Sequence, residues 1–577
     1  MKILQNKLWG IGLVLSLLSS VVLANGGGGG ESAPKKSKRQ EPFQIKAAVW
    51  GPATAEVEAA KRRVERSDAV RRELGGAKYR LLSLEYIDHE VNGKFLPPTR
   101  FRVTFYDYTN DRTVVAESSF DGREAVSVRR AAESETAARP FPSVEEIEDA
   151  IRLVGRDERY TAAVKSQKLR PYPAMPPITV TESGERLINI GLESFDSSAA
   201  NEVVSVSFKR GEVVRYDKGA PPQSKAAPES CGIPTAGQVS NPRGLPGQFD
   251  LTVTQGQTTL WEMTVIRPSS SSGPNGSGID LLNVKYKGKS VLKRGHVPFL
   301  NVEYVNNVCG PFLDWQWQEG HFIAPAGGAQ DPNGPNGGIR ILAPGQIATT
   351  SIETGNDQGN FQGVAIYQQN VGLGNEVVMV TEMNAGWYRY IMEWRFAENG
   401  TIRPRFGFGS VNNQCVCSMH NHHVYWRFDF DVVQPANKIF QVERGRKFLR
   451  PVLTETGILR SYQTNRSFIV QNAAGNEAYM LIPNPTDGVA DTYGRGDFWL
   501  LKTAPNNDEL GLTGPGYTIN MTPYLNNESL DNTDVTVWYA GHFIHEDGQN
   551  PLSRSRSGEV VLSGEYVVGP ELRPIRW

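Results

Sequence analysis

Five of the eight histidines in this chain fall in two short stretches, and imidazoles gathered in that way can hold a transition metal. The first stretch reads His420-Asn421-His422-His423-Val424-Tyr425-Trp426-Arg427-Phe428-Asp429-Phe430-Asp431. Imidazoles, bulky apolar residues and carboxylates alternate there with the period of a strand. On a strand His420 and His422 share one face, so both can reach a single ion. The second stretch supplies His542 and His545. Nitrogen ligation suits copper or zinc better than magnesium or calcium. The carboxylates at the far end of the first stretch are hard oxygen ligands of the calcium type. The plain alternative in each place is a polar strand edge facing solvent.

These residues need elements to position them. A chain of 577 residues exceeds what one core organises, and about two to four domains are expected. An apolar run over 8–23 ends in Val22-Leu23-Ala24, which reads as a signal peptide over 1–24 cut before Asn25. An uncleaved anchor is the alternative, although the run is short for a membrane span. A secreted or periplasmic protein is therefore expected. Residues 25–46, glycine-rich and then basic at Lys35-Lys36-Ser37-Lys38-Arg39, read as a flexible linker. The formal charge of −1, from 61 basic and 62 acidic residues, lacks the polycationic character of a nucleic-acid binder. Four cysteines, Cys231, Cys309, Cys415 and Cys417, passing through an oxidising compartment allow one or two disulfides whose pairing the sequence does not rank.

Two small α+β domains are expected first, over 47–135 and 136–220. In the first, a charged amphipathic helix over 55–74, closed by Gly75-Gly76, precedes strands near 79–87, 101–106, 113–118 and 125–128. The second opens with the capping box Ser143-Val144-Glu145-Glu146. It continues with a helix near 157–167 and strands near 178–181, 187–191, 203–209 and 212–216. Residues 221–243, rich in Pro, Gly, Ser and Ala, form a linker. Beyond them, over 244–577, short β-branched and aromatic strands alternate with Asn-Gly, Pro-Gly and Asp-Gly turns. That pattern predicts a large antiparallel β-sandwich holding every metal candidate.

Three stretches of this β domain resemble the copper amine oxidases, enzymes that convert one of their own tyrosines into topaquinone. Asn527-Glu528-Ser529-Leu530-Asp531-Asn532-Thr533-Asp534-Val535-Thr536-Val537-Trp538 is similar to the family segment before the third copper histidine. The family spacing favours His545 as that ligand, with His542 as the alternative if the loop is shortened. His420, His422, Arg427 and Asp429 match the family's opening motif, which implies that His420 and His422 bind copper. The resemblance also implies a peripheral calcium-type site of Asp429, Asp431 and Asp534 with the main-chain oxygens of Phe430 and Val535. The third stretch runs from Val380 to Phe396, and counting back from Trp394 makes Tyr388 the cofactor tyrosine. Here the chain departs from the pattern, with Trp387 where the family has Asn and Arg389 where it has Asp or Glu. Upstream, Asp314 resembles the catalytic base and Tyr304 the tyrosine that hydrogen-bonds the quinone, at a shorter separation than usual. The small α+β domains resemble the family only in architecture.

The resemblance implies a copper- and quinone-dependent primary amine oxidase, taking R-CH2-NH2 and dioxygen to an aldehyde, ammonia and hydrogen peroxide, and a homodimer. The rival reading, favoured by Trp387 and Arg389, is a non-catalytic secreted copper-binding or interaction protein that keeps the fold. A hydrolase using His-x-His with Asp314 is a third reading, but it leaves the tyrosine stretch unexplained. Trp315, Trp317 and Trp387 suggest an aromatic-lined entry, or simply core packing.

Overall fold

Strands with one apolar face dominate this protein because that face must be buried against another sheet. The computed structural model describes residues 41–577 apart from 133–137, 195–201, 216–230, 235–241, 273–275, 305–310, 326–337, 371–373, 418, 446, 493, 505–520, 546–559 and 562–567. The expected signal peptide, most of the 25–46 linker, much of the 221–243 linker and Cys309 lie outside the described residues. Among those residues no helix is long and apolar enough to cross a membrane.

Two large sheets form the body. The eleven-stranded one runs from Phe43–Val49 through Gln248–Gln255, Thr258–Ile266, Asp280–Tyr286, Lys289–Tyr304, His420–Phe430, Val535–His545 and Phe498–Lys502 to Thr456–Ile458. The ten-stranded one places Asn375–Ala385, Tyr388–Ala397 and Ile402–Ser410 side by side in antiparallel pairing. One apolar cluster joins both inner faces: Trp394 of the second sheet meets Trp426 of the first edge-on at 5.3 Å between ring centroids. This is a β-sandwich. Phe43–Val49, placed by sequence reading in the linker and the start of the first small domain, instead pairs with Gln248–Gln255 as an edge strand.

Each small unit has a four-stranded antiparallel sheet; the first has a core of its own, and the second shares its core with Leu82, Tyr106 and Tyr108 of the first. In the first, the helix expected over 55–74 is two helices, Thr54–Glu65 and Asp68–Leu74. The break falls where Ser67 leaves helical geometry and its side chain accepts from Val70 N at 3.3 Å, an N-cap that restarts the helix. In the second unit, helix Val144–Arg156 is opened by the reciprocal Ser143–Glu146 capping box. The expected helix near 157–167 shortens to Thr161–Lys165. A disulfide joins Cys231 to Cys417, and Cys415 is disulfide-bonded as well. Cys415 and Cys417 lie on the segment 411–417 that leads into the histidine strand.

Candidate metal centre and active site

Register decides which histidines meet. Strand His420–Phe430 lies between Lys289–Tyr304 and Val535–His545, with His420 opposite both Tyr304 and His545. Directly opposed residues on antiparallel strands point to the same face, so His420, His422 and His545 share the inner face. Their ligand nitrogens lie within 4.8 Å of one another, and all three side chains are buried. His542, three residues from His545, points to the other face. There it contacts Asp497 Oδ1 and Gly496 O, each at 3.0 Å, rather than the cluster. Alternation along the strand thus removes His542 from the candidate ligand set.

The chemistry of the donors tests whether a metal fits. Among the described residues, neither buried ring nitrogen of His422 has a hydrogen-bond partner, and Nδ1 of His545 lies 2.9 Å from Nε2 of His420. Buried polar atoms are normally satisfied, and two imidazole nitrogens facing one another need a proton or a cation between them. Burial, and then the neighbouring imidazoles, push the His422 pKa well below its ordinary value. His422 is therefore neutral, as ligation requires. The set fits a transition metal of the copper or zinc type.

Tyr388 opens its own strand on the facing sheet, opposite Ala385 and Ser410. Its hydroxyl is hydrogen-bonded to His420 Nε2 and lies 3.0 Å from the Tyr304 hydroxyl. Its ring stacks on Tyr390 at 5.2 Å and meets His422 edge-on at 4.9 Å. Tyr304 in turn stacks on His420 at 4.5 Å. The Trp387 indole donates to the Tyr304 hydroxyl at 3.0 Å. An indole N–H only donates, so Tyr304 accepts there and can pass its own hydrogen to Tyr388.

Asp314 is fully buried, and its Oδ2 accepts from the Tyr390 hydroxyl while Oδ1 has no hydrogen-bond partner among the described residues. Burial pushes its pKa up to about 7, against the lowering effect of the Tyr390 hydrogen bond. Such a carboxyl can gain or lose a proton near neutrality. Trp315 and Trp317 are core residues: Trp315 donates to Asn384 O at 3.0 Å and packs on Phe141. Trp387 is buried as well, with Tyr172 of the second small unit at 6.2 Å.

Sequence reasoning missed two partners, Asp357 and Tyr390. Arg389, on the outer face, donates from Nε and Nη2 to Asp357 at 2.7 and 2.9 Å, and from Nη1 to Tyr388 O at 3.0 Å. Its charge is thus balanced locally. Tyr390 as the holder of Asp314 was readable from period-two alternation with Tyr388. Asp357, 32 residues from Arg389, left no local signal. At the other end of the histidine strand, Asp429, Asp431 and Asp534 bring ligand oxygens within 4.8 Å of one another. The Oδ1 atom of each is buried and has no hydrogen-bond partner among the described residues. Burial is the largest influence pushing Asp429 up to about 8 and Asp431 up to about 7. Carboxylates so crowded fit a hard divalent cation.

Comparison with known proteins agrees with this geometry at the level of fold. A copper-containing benzylamine oxidase from Hansenula polymorpha superposes with a TM-score of 0.60 at 14% identity, covering 91% of this chain and 97% of that one. An amine oxidase from Aspergillus nidulans (TM-score 0.54, 12% identity, 94% of this chain and 89% of that one) is also similar. So is the lysyl oxidase of Pichia pastoris (0.54, 12%, 95% and 91%). No protein-family model and no curated protein sequence matches the chain. The protein has the fold of the copper amine oxidases.

Proposed function

We propose that this protein is a secreted or periplasmic primary amine oxidase that depends on copper and on a quinone made from Tyr388. The observation that carries the reading is one buried constellation: three imidazoles, two hydrogen-bonded tyrosines and a raised carboxyl between two sheets of amine-oxidase fold. His420, His422 and His545 would hold copper, and Asp429, Asp431 and Asp534 a calcium ion. Copper held there would supply the oxidising chemistry, with dioxygen, for converting Tyr388 to a quinone, and the quinone would supply a two-electron acceptor for the amine. The reaction balances as R-CH2-NH2, O2 and H2O giving R-CHO, NH3 and H2O2.

The chain's own groups do the rest. Asp314 takes the proton from the carbon next to nitrogen: Tyr390 holds Oδ2, and Oδ1 is left to reach the substrate. Burial makes that carboxylate a stronger base than an exposed one. Tyr304, fixed by Trp387, orients the oxygen of Tyr388. Arg389, anchored on Asp357, braces the main chain at Tyr388 from behind. The aromatic walls exclude bulk water. A homodimer is the assembly this reading expects.

The test is peptide mass spectrometry on protein purified without metal and then given copper and oxygen. A mass gain on the Tyr388 peptide that matches ring oxidation, and that needs copper, supports the reading. An unmodified Tyr388 in copper-loaded protein supports the second reading, a copper-binding protein without turnover. Trp387 and Arg389 are the observations that favour it.

A further inference from the structure

The three-aspartate cluster at the end of the histidine strand has a neighbour that its oxygens alone do not explain. In the pairing of Lys289–Tyr304 with His420–Phe430, Leu292 faces Phe430 and Arg294 faces Asp429, so Lys293 is the extra residue of a β-bulge. A bulge re-aims a side chain that a regular ladder would send elsewhere. Lys293 is largely buried, and its Nζ is paired with Glu90 Oε1 at 2.9 Å, while the ring of Phe95 lies 5.6 Å away. It also interacts electrostatically with Asp429 and Asp534. Glu90 and Phe95 belong to the hairpin Tyr79–Val91 and Lys94–Asp107 of the first small unit. The same hairpin sends Asp88 to Arg294 at 3.2 Å. The acidic cluster therefore sits at the joint between that unit and the large sheet.

The charges here do not balance. Asp429, Asp431, Asp534 and Glu90 face Lys293 and Arg427, whose Nη1 lies 3.7 Å from Asp429 Oδ2. Four carboxylates against two cations leave a formal charge of −2, which one divalent cation cancels. Three of the oxygens, Oδ1 of Asp429, Asp431 and Asp534, are buried without hydrogen-bond partners among the described residues.

We propose that Lys293 is a built-in counter-ion that competes with a hard divalent cation for Asp429, Asp431 and Asp534, and that Glu90 sets the outcome by holding the ammonium away. With Glu90 engaged, the carboxylates are open to the cation. Without Glu90, the ammonium moves onto them. By linkage, a bound cation must favour the Glu90–Lys293 pair as much as that pair favours the cation. Occupancy of the site thus tightens the seating of the hairpin on the sheet.

The experiment is calcium binding to the full-length protein, read by displacement of terbium(III) luminescence, which uses no turnover and so stands or falls apart from the amine oxidase reading. Lys293→Met should tighten calcium binding by about tenfold or more, the scale of one partly buried charge at short range. Lys293→Arg keeps the charge and should bind as the unmodified protein does. Glu90→Gln should weaken binding by several-fold, and that effect should shrink when Lys293→Met is also present, because contacting residues are not additive. A thermal melt of each variant checks that the sheet is intact; if Lys293→Met fails this check, Lys293→Gln replaces it. Calcium seen only in Lys293→Met would overturn the role given to Glu90, since the ammonium would then hold the carboxylates despite it. Equal affinity in Lys293→Met and the unmodified protein, or no calcium bound by either, would overturn it.

Discussion

The strand pair His420–Phe430 and Val535–His545 carries histidines on both faces, and the two faces are finished differently. On the outer face His423 lies 2.9 Å from Asp491 and His542 lies 3.0 Å from Asp497, so each imidazole has a carboxylate of its own. On the inner face the nitrogens of His420, His422 and His545 face one another within 4.8 Å, and among the described residues His422 has no hydrogen-bond partner at either nitrogen. The rings, the strands and the burial are alike. The difference is in the partners, and it separates imidazoles that complete a fold from imidazoles arranged to complete something else. The outer face of the tyrosine strand follows the same rule, since Arg389 has Asp357 while Tyr388 faces the imidazoles.

Replacing one histidine from each face sharpens that contrast. His422→Ala should lower copper affinity by more than ~100-fold, beyond the range seen when only supporting residues around a metal are lost. Oxidation of Tyr388 should stop with it. His542→Ala should leave copper affinity essentially unchanged and instead cost about 1–3 kcal/mol of stability, because Asp497 is left buried without that partner. Competitive copper titration and thermal melts of both variants decide the matter. Loss of copper in His542→Ala would break the distinction between the faces.

Asp314→Asn comes next. It should reduce amine turnover by about 10²–10⁴-fold, the range for a positioned acid or base, while copper binding and the mass gain on Tyr388 persist. Turnover and peptide mass, measured on one sample, separate a lost base from a lost cofactor. Arg389→Leu acts behind the site. It strands Asp357 in the interior and should cost roughly 3–5 kcal/mol of stability. Adding Asp357→Leu should recover much of that loss, as seen in urea unfolding. Copper affinity should not change, since neither residue touches the imidazoles.

Much of this arrangement was legible in the sequence because it is periodic. Alternation placed His420 and His422 on one face, while Tyr388 was implied only by the family resemblance of its stretch, counted back from Trp394. The family resemblance favoured His545 over His542, but alternation by itself could not choose between them. Their odd separation puts them on opposite faces, but only the register against His420 shows which face is inward. The sequence suggested one helix over 55–74, although Ser67-Asp68 is itself a cap signal, because the charged pattern ran on through it. Asp357 and Lys293 were invisible for a physical reason. One pairs across the fold, and the other is aimed by a bulge that exists only once two strands have chosen their register.

The smallest effect expected is also the most diagnostic of the inner face. Asp314 has its pKa raised from 3.8 to about 7, chiefly by burial, so the folded state holds its proton more tightly than the unfolded chain does. The stability that this group contributes is therefore complete below about pH 4 and lost as pH rises through about 7. Its use as a base has the opposite trend, because the carboxylate forms as pH rises through the same range, and kcat/KM should climb with it. Tyr390 donates to that carboxylate and favours its charged form. Tyr390→Phe should therefore move the acid limb of the kcat/KM profile upward by about one to two pH units, the equivalent of one hydrogen bond to a charged group. The ring remains to stack on Tyr388, so copper binding and Tyr388 oxidation serve as internal controls. A limb that stays in place would mean that the titrating base is not Asp314.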